Sequence, residues 1–263
     1  MSYSTVVARL RVAGCVFAED EARLLVDAAR SPDELERLVT ERAEGLPLEH
    51  VLGWAEFRGL RMVVAPGVFV PRRRTGLLVA EAVAAAKPGA VIVDLCCGSG
   101  AIGAAIATEL GAVELHAADI EPAAVRCARR NVEPLGGQVH EGDLYEALPE
   151  RLRGRVDVLA VNAPYVPTGA IETMPPEARL HEPRVALDGG SDGLDIQRRV
   201  ITGAPWWLAP GGRLLIETSR AQAPHTAAAF ERSGLTARVA SSAELDGTVV
   251  IGTARGHQAR PTV

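Results

Sequence analysis

The 263-residue chain has no apolar run long enough to cross a membrane. Its first residues, MSYSTVVARLRVAG, also lack the basic start and long apolar stretch of a signal peptide. We therefore expect a cytoplasmic protein that does not meet a membrane. Excess positive charge is missing too, since the formal net charge is -5. A protein that binds nucleic acid broadly needs a basic face, so this charge argues against a nucleic-acid partner.

Cysteine is scarce, and its spacing is poor for metal binding. None of the four cysteines forms a C-x-x-C pair, and no histidine pair at helical spacing accompanies them. We therefore expect no metal site. Apolar residues, at 48%, occur throughout the chain, which excludes a largely disordered protein. The length suits one large domain, or one domain with a small appendage.

The N-terminal part, residues 1–50, predicts a small helical unit. One helix is expected at 9–29 and a second at 33–44, where Ser31 and Pro32 form a helix start. This unit is too short for a substantial core of its own, so it must pack on something else.

A second segment, residues 51–74, changes character. Short β-type runs are broken by Gly59 and by Pro66-Gly67, which predicts a hairpin linker.

The remaining segment, residues 75–263, alternates between strand and helix patterns. The run AVIVDLC is apolar apart from Asp94, as expected for a strand buried on both faces. This alternation predicts a Rossmann-like α/β fold with a mostly parallel sheet and helices on both faces. A final hairpin around Asp246-Gly247 adds one antiparallel strand, for seven strands in all. Strands are expected at 90–96, 114–120, 137–143, 156–163 and 212–219, and helices at 75–86, 101–110, 122–131, 144–152, 192–208 and 221–233.

A glycine-rich loop follows the first of these strands. The residues from Gly98 to Gly103 read G-x-G-x-x-G, at the place where a dinucleotide phosphate binds. Asp119 lies about 20 residues further on and can accept both ribose hydroxyls. Taken alone, the loop indicates an NAD-dependent enzyme.

Asp94, inside the strand before this loop, favours a different ligand. A carboxylate there would repel a pyrophosphate, whereas it can organise the loop or contact an ammonium group. The pattern D-x-x-x-G-x-G suits S-adenosylmethionine, which is positively charged and carries no phosphate. Asp143, after the third strand, would then lie near the adenine.

The turn Asn162-Ala163-Pro164-Tyr165 directly follows the fourth strand, at the sheet edge where ligands bind in such folds. A planar NH2 group is a weak nucleophile with two N–H donors. The Asn162 side-chain oxygen and the Ala163 carbonyl can accept both hydrogen bonds and aim the nitrogen. Pro164 fixes the turn and Tyr165 can stack on the planar group. The turn therefore predicts group transfer to such a nitrogen.

These motifs together resemble the HemK/PrmC protein-glutamine methyltransferases over residues 46–255. The resemblance rests on PLEHVLGWAEFRGLRMVVAPGVFVPR, DLCCGSGAIG, AADIEPAAVRCARRN, NAPY and HEPRVALDGGSDGLDIQRRVI. It implies a class I S-adenosylmethionine-dependent methyltransferase fold with S-adenosylmethionine as cofactor. It also implies a protein partner with an acceptor glutamine, notably the GGQ glutamine of peptide-chain release factors, and a docking role for residues 1–50.

The resemblance further implies roles for individual residues. The methionine part would be surrounded by Cys96, Cys97, Gly98, Ser99 and Gly100, the ribose would be held by Asp119, and the adenine would be flanked by Asp143 and Leu144. Asp94, Ile120 and Asn162 are also expected to bind the cofactor. The acceptor amide would be held by Asn162, Ala163, Pro164 and Tyr165.

The sequence departs from the family pattern at several points. Ala163 replaces the first proline of NPPY, His181 replaces a tyrosine, and the N-terminal unit is shorter than expected. The run 73–76, Arg-Arg-Thr-Gly, loses two acidic positions and gains positive charge near the cofactor entrance. Another protein acceptor, an exocyclic amino group of a nucleic acid or small molecule, and an NAD-dependent oxidoreductase therefore stay open as alternatives.

Overall fold

The computed structural model describes residues 1–255, so the end of the expected 75–263 domain lies outside the described residues. The helices are α1 (Tyr3–Val12), α2 (Ala18–Ala28), α3 (Pro32–Ala43), α4 (Leu48–Leu52), α5 (Gly76–Ala85), α6 (Ala101–Leu110), α7 (Pro122–Val132), α8 (Pro176–His181), α9 (Asp195–Trp207) and α10 (Ala223–Arg232). The strands are β1 (Trp54–Phe57), β2 (Leu60–Val63), β3 (Val91–Leu95), β4 (Glu114–Asp119), β5 (Gln138–Glu141), β6 (Val156–Val161), β7 (Leu208–Glu217), β8 (Leu235–Ser242) and β9 (Gly247–Ala254).

Strands β3 to β9 form the predicted seven-stranded sheet, in the order β5-β4-β3-β6-β7-β9-β8. β9 runs antiparallel to both of its neighbours, and the other pairings are parallel. The predicted fold class, including its single antiparallel strand, is therefore confirmed. The strand order reverses between β3 and β6, which is where such sheets leave a crevice for ligands.

The sheet is covered on both faces, which explains its continuous apolar runs. All five residues of β3 are buried. Ile92 packs with α5, α6 and α7, whereas Val91, Val93 and Leu95 pack with α9 and α10. Because alternate side chains point to opposite faces, a strand between two helical layers buries its side chains on both faces, and the single charged residue of β3, Asp94, is buried as well.

The N-terminal unit differs from the expectation in two ways. The predicted helix at 9–29 is wrong: α1 and α2 are separate helices, divided at Gly14, whose φ of 89° is left-handed. The unit also has a small core of its own, which includes Leu10, Leu25 and Val39. It is joined to the rest of the chain by buried Arg42, which bonds Glu21 within the unit and Glu177 on α8.

Two further segments test the expectations. The predicted hairpin is present: β1 and β2 pair antiparallel, and Arg58 and Gly59 both have positive φ in the turn. The predicted helix at 144–152 is wrong, since two short 3-10 turns, Leu144–Ala147 and Glu150–Leu152, occupy it. Pro149 lies between them and cannot donate the hydrogen bond that would join them. The boundaries of the three expected domains stay a prediction.

Within residues 1–255, no helix is both long enough and apolar enough to span a membrane.

A histidine pair links β4 to the edge strand β5. His116 Nδ1 lies 2.9 Å from His140 Nε2, and His116 Nε2 lies 3.2 Å from Glu114 Oε1. Burial lowers the pKa of His116 and of His140. The pair needs one ring nitrogen to donate and the other to accept, so it holds only while at least one ring is neutral.

Between pH 7.5 and pH 5.5 we expect the stability of the unaltered protein to fall relative to that of His140→Gln, which lacks one of the two rings. Both histidines have a lowered pKa when folded, so the unfolded chain binds more protons as the pH falls through about 6.5. For each histidine, the free energy of unfolding changes by about 1.4 kcal/mol for every pH unit that separates its pKa in the folded protein from its pKa in the unfolded chain. Urea unfolding at the two pH values measures the loss. An equal loss of stability in the variant would contradict this role. Burial also lowers the pKa of His50, which is present in both proteins and contributes equally to both.

Candidate active site

A cavity of about 210 Å³ lies at the carboxyl ends of β3, β4, β5 and β6. The loops that follow these strands form its walls, because parallel strands deliver their C-terminal loops to one edge of the sheet. The glycine-rich loop and the turn 162–165 come from β3 and β6, the two strands that flank the reversal in strand order. The cofactor loop and the acceptor turn expected from sequence therefore share one cavity.

The glycine-rich loop is held in an unusual backbone conformation. Cys96, Gly98 and Gly100 all have left-handed φ, at 58°, 54° and 75°. A Cβ at Gly100 would lie 2.8 Å from Val132 Cγ2, so the loop can approach α7 only with glycine there. Burial raises the pKa of the Cys96 and Cys97 thiols well above their usual value, which keeps both protonated and unreactive.

Asp119 anchors this loop from the end of β4. Its Oδ2 accepts a hydrogen bond from the Gly98 N–H at 2.8 Å, and its Oδ1 accepts one from the Glu121 N–H at 2.9 Å. Burial raises its pKa. Each carboxylate oxygen has two lone pairs, so one acceptor position on each oxygen stays available at the cavity wall. That pair of acceptors matches the two hydroxyls of a ribose.

Asp94 lies behind the loop and does not line the cavity. Its Oδ2 accepts a hydrogen bond from the Gly103 N–H in the first turn of α6, at 2.8 Å. Burial raises the pKa of Asp94 to about 8, so the side chain is mostly neutral at pH 7. Of the two roles predicted for it, the structure supports organising the loop. The predicted repulsion of a pyrophosphate does not follow from a neutral residue behind the wall.

We expect Asp94→Asn to be more stable than the unaltered protein at pH 8, with a smaller difference at pH 5. The folded protein keeps the Asp94 proton to about pH 8, whereas the unfolded chain releases it near pH 4. Stability from the protonated carboxyl is therefore lost as the pH rises through this range. Asparagine still accepts the Gly103 bond and carries no ionisable proton. Urea unfolding at pH 5 and pH 8 measures the difference, and an equal difference at both would contradict the elevated pKa.

The acceptor turn presents its four residues to the cavity. Ala163, which replaces the family's proline, is buried beside the core that packs on α9. The Tyr165 hydroxyl lies 3.5 Å from Glu217 Oε1 at the end of β7. Burial raises the pKa of Tyr165, which therefore stays a neutral phenol at physiological pH.

The far end of the cavity carries the residues expected near the adenine. Asp143 and Leu144 line it, and Asp143 Oδ2 accepts a hydrogen bond from Arg199 Nη2 at 2.7 Å. Ile120 is half exposed and offers an apolar surface on the same wall. Leu144 has a left-handed φ of 50° in the turn that follows β5.

Two arginine–glutamate pairs flank the acceptor end and were not assigned from the sequence. Glu182 Oε1 accepts hydrogen bonds from Arg72 Nη2 at 2.6 Å and from the Val70 N–H at 3.1 Å. Arg74 Nε lies 3.4 Å from Glu217 Oε1. Burial raises the pKa of both glutamates. The sequence signal that could have identified Glu217 is an acidic residue at the end of a parallel strand, in GRLLIETS.

Most predicted site residues therefore meet at one cavity, and two do not. Asp94 and Gly100 lie outside its wall and support the loop. The residues on the wall are Cys96, Cys97, Gly98, Ser99, Asp119, Ile120, Asp143, Leu144, Asn162, Ala163, Pro164 and Tyr165. Over residues 1–255, no group of three or more histidine, cysteine, aspartate or glutamate side chains is placed to hold a metal ion.

The chain is similar to known methyltransferases in sequence. Residues 59–190 match the Methyltransferase small domain family. A release factor glutamine methyltransferase from Geobacter sulfurreducens is 41% identical over 213 residues, covering 79% of this chain and 74% of the relative. One from Cereibacter sphaeroides is 36% identical and covers 92% of both chains. A 4-amino-L-phenylalanine/4-methylamino-L-phenylalanine methyltransferase from Streptomyces pristinaespiralis is 35% identical and covers 77% of this chain and 71% of the relative.

Solved structures agree with the fold. A methyltransferase from Pyrococcus furiosus superposes with a TM-score of 0.58 at 15% identity, covering 86% of this chain and all of the other, 100%. A 16S rRNA methyltransferase from T. Thermophilus, solved with AdoMet and guanosine, gives 0.53 at 20% identity, covering 77% of this chain and 50% of the other.

The seven-stranded fold and the family match define a class I S-adenosylmethionine-dependent methyltransferase. Within that class, the chain belongs to the release factor glutamine methyltransferase (PrmC/HemK) family. The cofactor is therefore S-adenosylmethionine, and the alternative of an NAD-dependent oxidoreductase is wrong. The cavity suits this cofactor, because the Asp119 carboxyl on its wall offers acceptor oxygens for the hydroxyls of a ribose.

Proposed function

We propose that the protein methylates the side-chain amide nitrogen of a glutamine in a peptide-chain release factor, at its GGQ motif. The observation that carries this proposal is the shared cavity of the turn 162–165 and the cofactor loop. The relatives from Geobacter sulfurreducens and Cereibacter sphaeroides, both release factor glutamine methyltransferases, support the choice of acceptor. We place this reaction in the cytoplasm, where a release factor acts.

The acceptor turn would hold the glutamine amide through its two N–H groups. The Asn162 side-chain oxygen accepts one and the Ala163 carbonyl accepts the other, which orients the nitrogen lone pair toward the methyl donor. Pro164 fixes the turn, and neutral Tyr165 lies against the planar amide. These contacts favour the shift of the nitrogen toward tetrahedral geometry as the bond forms.

The cofactor side of the cavity would be held by residues of three loops. S-adenosylmethionine supplies a methyl group on a positively charged sulfonium. The backbone of residues 96–99 would surround the methionine part, Asp119 would accept from the ribose hydroxyls, and Asp143 and Leu144 would flank the adenine. No base is needed before the attack, because the nitrogen loses its proton after the transfer.

A small-molecule arylamine is the second candidate acceptor. The relative from Streptomyces pristinaespiralis that is named for 4-amino-L-phenylalanine favours it, because an aryl NH2 group presents the same two donors to the turn. A nucleic-acid amino group stays a third and weaker proposal, given the net charge of -5.

The experiment that tests the proposal is transfer of a radiolabelled methyl group from S-adenosylmethionine. Acceptors are a purified release factor, the same factor with its GGQ glutamine replaced by alanine, 4-amino-L-phenylalanine, and lysate treated with protease or nuclease. We expect label in the unaltered factor and none in the alanine version. Label in the arylamine alone, or only in nuclease-sensitive material, would overturn the release-factor proposal in favour of that acceptor.

A further inference from the structure

Gln222 lies behind the acceptor turn, at the start of α10. Its side-chain Nε2 donates two hydrogen bonds, one to the Tyr165 carbonyl at 2.9 Å and one to the Asp192 carbonyl at 3.0 Å. The first carbonyl belongs to the turn after β6 and the second to the glycine-rich segment before α9. One amide therefore ties together two loops that are far apart in the chain.

The orientation of this amide is itself fixed. Gln222 Oε1 accepts a hydrogen bond from Ser219 Oγ at 2.7 Å, so the opposite orientation would place the NH2 group against that hydroxyl and an oxygen against two carbonyls. Three buried side chains lie behind this amide and are linked by hydrogen bonds. Thr226 Oγ1 donates to Gln197 Oε1 at 2.8 Å, and Gln197 Nε2 donates to Thr218 Oγ1 at 3.3 Å.

Gly193 makes room for this contact. Its φ of +78° is left-handed, and a Cβ there would lie 2.3 Å from the Tyr165 carbonyl oxygen and 2.4 Å from Gln222 Nε2. Only glycine lets the amide reach the turn. The turn is also held to the same segment by the Val166 N–H, which donates to the Leu187 carbonyl, and by the Gly189 N–H, which donates to the Val166 carbonyl.

We propose that Gln222 is a positioning residue for the acceptor turn. By holding the Tyr165 carbonyl and the segment around Gly193 together, it keeps the Asn162 amide and the Ala163 carbonyl aimed at the incoming nitrogen. Gln222 does not line the cavity, so it acts through Tyr165 and touches neither acceptor nor cofactor. Its role in catalysis rests on the proposed function, whereas its role in holding the turn does not.

Two variants test this role. Gln222→Glu keeps the shape but directs a carboxylate at two carbonyl oxygens, and Gln222→Met removes the hydrogen bonds without adding charge. Gln138→Glu on the exposed edge strand β5 makes the same chemical change away from the site and serves as control. Hydrogen exchange at the Val166 and Gly189 amides reports on the turn without any acceptor, while calorimetry with S-adenosylmethionine and methyl transfer report on function.

We expect exchange at Val166 and Gly189 to accelerate about fivefold in both Gln222 variants, because one lost hydrogen bond is worth about 1 kcal/mol and 1.4 kcal/mol corresponds to a factor of ten. Methyl transfer should fall at least about tenfold in kcat, since a displacement of about 1 Å can cost 100-fold. The Kd for S-adenosylmethionine should stay within about twofold. Gln138→Glu should change none of these values.

Unchanged exchange in either folded Gln222 variant would overturn the proposal. A cofactor affinity that falls in parallel with turnover would also overturn the proposal, because that result indicates a general loss of structure. If the unaltered protein methylates none of the acceptors, the proposed function fails, and the exchange result still decides whether Gln222 holds the turn.

Discussion

Replacing Asn162 with alanine should lower methyl transfer about 100- to 1,000-fold, the cost of removing one preorganised polar contact from a transition state. The Asn162 side-chain oxygen is one of two acceptors that the turn offers to the glutamine NH2 group, and nothing else on the wall replaces it in that position. The cofactor is held mainly by the loops after β3, β4 and β5. We therefore expect the Kd for S-adenosylmethionine to change little, as calorimetry would measure.

Asn162→Asp is the matched variant for this prediction. It keeps an acceptor oxygen at the same position but adds a negative charge, so its turnover should lie between those of the alanine variant and the unaltered protein. If Asn162→Ala keeps full turnover, the role assigned to the turn is wrong. A parallel loss of cofactor affinity would instead place Asn162 on the cofactor.

Replacing Asp119 with alanine should weaken S-adenosylmethionine binding about 100-fold. A hydrogen bond to a charged group is worth about 1.5–3 kcal/mol, and 1.4 kcal/mol corresponds to a factor of ten. The change removes the acceptors proposed for the ribose. It also frees the Gly98 N–H that Asp119 holds at 2.8 Å, so the loop loses its anchor. Calorimetric titration with S-adenosylmethionine measures the effect.

Asp157→Ala is a suitable control for Asp119→Ala. Asp157 Oδ2 also accepts a backbone hydrogen bond, from the Val91 N–H at 2.8 Å, but Asp157 lies near the start of β6 and away from the cavity. Its removal should leave cofactor affinity within about twofold. Equal losses in both variants would show that sheet stability, and not a contact with the cofactor, explains the Asp119 result.

The central sheet could be predicted because its physical signal is local. The inner strands β3 and β6 are mostly apolar, with one aspartate each, since helices cover both faces of the sheet. The predicted helix at 9–29 was wrong because Gly14 breaks it, and 144–152 was wrong because Pro149 divides it. Both residues were visible in the sequence, but an apolar pattern that continues past them outweighed the break.

The candidate site could be predicted in part for the same reason. The glycine loop, Asp119 and the turn 162–165 each follow a strand directly, so the topology alone brings them together. The role of Asp94 required the structure, because only its complete burial shows that it supports the loop. Glu217 and Gln222 contact Tyr165 but are separated from it in the sequence by more than one helix or strand. These contacts depend on how the loops fold over the sheet.

The arginine run at 73–76 also has a structural explanation that the sequence did not contain. Arg74 extends to buried Glu217, whereas Arg73 is exposed and lies 3.9 Å from Glu244. The run therefore lacks two acidic residues of the family pattern, and in the same run Arg74 pairs with Glu217 at the end of β7.

The most direct test of the proposed function is tandem mass spectrometry of a purified release factor after incubation with the protein and S-adenosylmethionine. We expect the mass increment of one methyl group on the side chain of the GGQ glutamine, and no increment when Asn162→Ala replaces the unaltered protein. A release factor that stays unmodified while 4-amino-L-phenylalanine is methylated, or a methyl group on any residue other than that glutamine, would contradict it.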